Sequence, residues 1–151
     1  MVGKETTKKG QIMHFTTLYL LKNEELDNVS VDSVSEDFFY RFCYGCGENV
    51  PKYEYWCDWF QIGGRWCDLF KAKRGLVGER SWCNTDEKHT KNTYSIVEIK
   101  DLKEEIDEKW IYAIATRSRI YHEGSDKYKD LLQKINSKQI KGVVALVDCH
   151  D

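Results

Sequence analysis

A chain of 151 residues with 41% apolar side chains, 13% aromatics and a single proline has the make-up of one folded domain, long enough to bury a core without disulfides or metal. Lys and Arg number 23 against 25 Asp and Glu, for a formal net charge of -2, which excludes a general nucleic-acid binder with its strongly basic face. No apolar run reaches the roughly 18 residues of a membrane-spanning helix.

Residues 1–11 are rich in Lys, Thr and Gly and lack the apolar stretch of a signal peptide, so a flexible start, a domain over 12–151 and a cytoplasmic location are expected. In a reducing compartment the six cysteines are expected as core thiols or metal ligands, not as disulfides. Residues 12–21 are β-branched and aromatic and predict the first strand. Ser33 and Glu36 have the spacing of a capping box, and Phe38, Phe39, Phe42, Cys43 and Cys46 then recur at helical spacing until Gly45 and Gly47.

Residues 53–70 hold three of the five tryptophans and two apolar runs meeting at Gly63-Gly64. Glycines that take positive φ between strand-like runs predict a hairpin. In that hairpin Ile62 pairs with Arg65, Phe60 with Cys67 and Asp58 with Leu69. Asp58, Phe60, Ile62 and Arg65 then share one face, and Trp59, Gln61, Trp66 and Asp68 the other.

A basic segment, 71–75, leads into a long polar loop through Arg80, Cys83, Asp86, His89 and Lys91. Residues 94–99 suit a short strand, 101–108 a charged turn or short helix, 110–116 a strand, and 119–122 its hairpin return. Ser125 can cap a second helix with Tyr128, Leu131, Leu132 and Ile135 on one stripe. Residues 142–147 are almost continuously apolar, as in a strand buried on both faces, and run into Asp148-Cys149-His150-Asp151. The order predicts an α+β fold: a mainly antiparallel sheet with two helices on one face, a ferredoxin-like variant with a long middle loop.

The stretch Asp58-Trp59-Phe60-Gln61-Ile62-Gly63-Gly64-Arg65-Trp66 follows Asn49-Val50-Pro51-Lys52, and Val147-Asp148-Cys149-His150 stands near the end of the sequence. Together they resemble a family of small bacteriophage-encoded proteins with an Asp-Trp-aromatic-x-Ile-Gly-Gly-Arg-Trp motif and a Val-Asp-Cys-His ending. Residues 112–115 and 121–124 are similar to that family's late hairpin. The resemblance implies a phage origin and an accessory role in the host cytoplasm. Small phage proteins of this kind include antagonists of host defence that capture or destroy nucleotide immune signals.

Several groups offer chemistry, each beside a plainer reading. Gly63, Gly64 and Arg65 can form an anion site of amides and a guanidinium fork, or a turn whose Arg65 pairs with Asp58 or stacks on a tryptophan. Trp56, Trp59 and Trp66 can stack a nucleobase or fill the core, and at least one is expected at a surface or pocket. Asp148 and His150, with His122 and Asp58, can make an acid/base pair or a metal site, or form a solvated end. Cys43 and Cys46 have the look of a zinc knuckle but also fit the helical stripe.

The leading expectation is a protein that sequesters a small anionic, nucleotide-like ligand. Arg65 and the Gly63 and Gly64 amides hold phosphate, Trp59 or Trp66 stacks the base, and Asp148 or His150 meets the sugar. The alternatives are a phosphodiesterase or hydrolase using His122, Asp148 and His150, and an inhibitor that binds a host defence protein. No cofactor is required, and self-association stays open.

Overall fold

The computed structural model describes residues 3–6, 12–43, 56–67, 69–79 and 92–150. Its elements are strands β1 (Lys4–Thr6) and β2 (Ile12–Lys22), helix α1 (Val31–Phe42), strands β3 (Trp59–Ile62), β4 (Phe70–Lys71), β5 (Thr93–Tyr94), β6 (Ile96–Glu98), β7 (Ala113–Ala115) and β8 (Ile120–His122), helix α2 (Asp126–Asn136) and strand β9 (Gly142–His150). The α+β expectation holds, with two helices and a mixed, mostly antiparallel sheet.

The two apolar runs of the sequence, β2 and β9, form the antiparallel centre, in continuous register from His14–His150 to Lys22–Gly142. Each outer edge of this ribbon is shared by two short strands placed end to end. β1 and then β7 border β2, with β8 beyond β7; β3 and then β6 border β9. β4 and β5 pair separately.

Alternation along the ribbon assigns the core. Leu18, Leu20, Val144, Leu146 and Ile114 pack with Tyr128, Leu131, Leu132 and Ile135 of α2. Phe15, Tyr19, Leu21, Val143, Ala145, Val147 and Cys149 pack with Val34, Phe38 and Phe42 of α1. The helices therefore cover opposite faces, where the sequence reading put them on one. Their periodicity is the same in either arrangement, but β2 and β9 are apolar at consecutive positions because both of their faces are covered. The ferredoxin-like plan also gives way at β2 and β7, which run parallel.

Helix α1 starts one turn earlier than expected. Ser30 is its cap, its hydroxyl accepting from the Ser33 amide at 3.0 Å while the Ser33 hydroxyl accepts from the Ser30 amide at 2.8 Å. The expected strand over 110–116 is shorter, because residues Glu108–Trp110 form a one-turn 3-10 segment ahead of β7.

The expected hairpin around Gly63-Gly64 does not form. β3 pairs with β9, setting Phe60 opposite Cys149 and Ile62 opposite Val147, and residues Gly64–Trp66 make a 3-10 turn. Both glycines do take positive φ, 87° and 58°. Their amides, however, donate to Leu146 and Glu79 carbonyls at 2.8 and 2.9 Å and so direct the chain away from itself.

Candidate active site

The C-terminal half of β9 places Asp148 and His150 on the face that α2 covers and Cys149 on the other. The apolar cluster under α2 ends at Leu18 and Leu146, so the sheet continues beyond it with polar side chains. Register sets His14 of β2 and Trp59 of β3 on either side of His150. The imidazoles of His14 and His150 stand edge to face at 5.2 Å, and the Trp59 ring is 6.2 Å from the first and 6.0 Å from the second. These three side chains and Asp58 line an open cavity of about 490 Å³.

Each imidazole is anchored at Nδ1 by a carboxylate. His14 Nδ1 lies 2.9 Å from Asp148 Oδ1, and His150 Nδ1 lies 3.0 Å from Asp58 Oδ1. An ionised carboxylate only accepts, so each Nδ1 carries the proton. Each Nε2 is left as a base, or as an acid when its ring is charged. The surroundings of the two pairs differ. Asp148 is fully buried, whereas Asp58 is exposed and its His150 half-buried. Burial pushes the Asp148 carboxyl above the usual carboxylate range, and the His14 ring and the Arg65 amide counter this only in part.

Of the residues singled out from the sequence, Asp58, Trp59, Asp148 and His150 converge. Asp148 and His150 belong to a strand, not to a solvated end. Gly63, Gly64 and Arg65 form a turn that reaches Asp148, but their three amides are engaged by Leu146, Glu79 and Asp148, so they present no amide cradle to an anion. Trp66 is buried and offers no stacking face, while Trp59 is 42% exposed. Trp56 lies on the α1 face, its Nε1 donating to Thr17 Oγ1 at 2.7 Å.

His122 is paired across from Ala113, which stands beside Thr17, and its ring is 5.2 Å from Trp56. The sheet thus separates it from His14 and His150, and it is no part of their pair. Cys43 is buried, its Sγ donating to the Asp58 carbonyl at 3.6 Å, and Cys46 lies outside the described residues. Among the described residues no three His, Cys, Asp or Glu side chains group as metal ligands. Cys67 is disulfide-bonded, against the expectation of core thiols or metal ligands.

Sequence reasoning missed His14. It sits in a strand otherwise read as core, and its partner Asp148 is 134 positions away. The available signal was its parity: His14 and Thr16 share a face with Leu18 and Leu20, so the apolar pattern breaks at that end of the strand. The chain matches no known family model, no curated protein and no solved structure.

Proposed function

We propose that this protein is a hydrolase that cleaves a small nucleotide-like phosphoester by general acid–base catalysis. The observation that carries the reading is the pair of imidazoles lining one cavity, each with Nδ1 held by a carboxylate. Hydrolysis needs both roles at once. One imidazole takes a proton from water as the water oxygen attacks phosphorus. The other gives its proton to the leaving oxygen as the P–O bond breaks, and exchange with solvent restores both rings. Trp59 supplies a face on which a base can stack. Destruction of a nucleotide defence signal of a phage host would be the corresponding biological role, and it rests on the motif resemblance.

A second reading is capture without turnover, favoured by the exposure of Trp59 beside the cavity, since a stacking platform binds whether or not chemistry follows. Cyclic and linear nucleotides incubated with the protein and separated by chromatography decide between the two. The hydrolase reading expects a product that disappears with His150→Ala while calorimetric binding survives. Intact nucleotide released from the denatured wild-type protein would establish capture instead.

A further inference from the structure

We infer that the Gly63-Gly64-Arg65 turn is a positioning device for the buried Asp148–His14 pair, with Gly64 and the Arg65 amide as its working parts. For the rate this rests on the hydrolase reading; for the ring geometry it does not.

The chain must leave β9 just where Asp148 needs a second donor. Gly63 makes the last bond of that ladder, to the Leu146 carbonyl, while the Leu146 amide already belongs to Ser95, beside β6. Positive φ at both glycines then folds the chain into the 3-10 turn, with the Arg65 amide 2.9 Å from Asp148 Oδ2. The other carboxylate oxygen faces His14. With one oxygen fixed by an amide and the other by an imidazole, the carboxylate plane and the ring orient each other.

Gly64 is required by contact as well as by φ. A Cβ built there would lie 2.5 Å from the Asp148 Cβ and 2.9 Å from its Cγ, closer than carbon atoms approach. The Thr16 hydroxyl, opposite Asp148 in register, donates to the Gly3 carbonyl at 3.0 Å. The charged groups acting on the carboxylate are His14 from β2 and Arg65 from the turn.

Histidine side-chain NMR on the full chain tests this. Wild type is expected to show the His14 ring with its proton on Nδ1. In Gly64→Ala that signature should shift toward the Nε2 tautomer or a mixture, while the His150 signals stay in place. Where turnover is measurable, kcat should fall about 100-fold with KM little changed, the scale of a small misplacement of a catalytic group. A folded Gly64→Ala protein with unaltered His14 signals overturns the inference.

If that variant does not fold, titration of wild type decides. The Arg65 amide and the His14 ring should follow one shared transition, absent from both in Asp148→Asn; independent behaviour of the two overturns the inference. Should wild type cleave no phosphoester, the hydrolase reading falls while the ring signals still decide the role of the turn.

Discussion

Among the described residues two carboxylates are buried in the sheet, and the protein treats them in opposite ways. Glu98 of β6 stands opposite Val143, near the start of β9; Asp148 stands near its end. Burial alone would raise the Glu98 carboxyl, but the Leu26 amide at 2.8 Å, Lys100 at 3.1 Å and Arg74 at 3.7 Å bring it below the usual range. Arg74 is tied in turn to Asp27 and Asp101, so this end of the sheet is a closed ionic network. Asp148 has one amide and one imidazole, and burial prevails. A carboxylate with surplus donors holds structure together. One left undersupplied is poised for a partner whose charge can change.

Neutralising each carboxylate in place separates the two roles. Asp148→Asn keeps the shape but lets the amide NH2 donate to His14 Nδ1, which moves the ring proton to Nε2 and removes the base. Activity should fall about 10³- to 10⁴-fold in a chromatographic assay, with the fold retained by circular dichroism. Glu98→Gln should leave turnover unchanged and lower stability by about 1–3 kcal/mol in urea unfolding, because it removes a charged acceptor from the Leu26 amide and two cations.

Asp58→Asn acts on the solvated pair and should reduce kcat by about 10-fold, less than its buried counterpart, because the exposed amide can turn its oxygen to His150 and water can also accept. Trp59→Ala should weaken nucleotide binding by about 10-fold in calorimetry without changing the urea midpoint, since the ring is 42% exposed.

The smallest effects are in pH. Asp148, raised in the fold, contributes stability that is present below its ordinary value of 3.8 and is lost as pH rises through its folded value. Glu98, lowered, contributes stability that is present above 4.5 and is lost as pH falls through its folded value. Urea midpoints from about pH 2 to pH 7 should show these opposite slopes, each abolished by its own Asn or Gln variant.

Much of this frame was legible in the sequence. The apolar run at 142–147 announced a strand buried on both faces, and the stripe from Tyr128 to Ile135 announced α2, because both patterns are local consequences of burial. What the sequence could not show was pairing. Gly63-Gly64 has the same local preference in a hairpin as in a turn that crosses to Asp148, and only the competing ladder offered by β9 decides between them. Asp58, Trp59, Asp148 and His150 were singled out by residue type, and the fold brings them together. His14 was not singled out, because a histidine inside a strand gains meaning only from the carboxylate that reaches it across the sheet.

The pH–rate profile of nucleotide phosphoester cleavage by the intact protein tests whether the two imidazoles act together. Two cooperating imidazoles, one neutral and one protonated, predict a bell-shaped profile, with turnover abolished in both His14→Ala and His150→Ala. Recovery of the nucleotide uncleaved across the whole pH range, from protein that binds it, would contradict the claim.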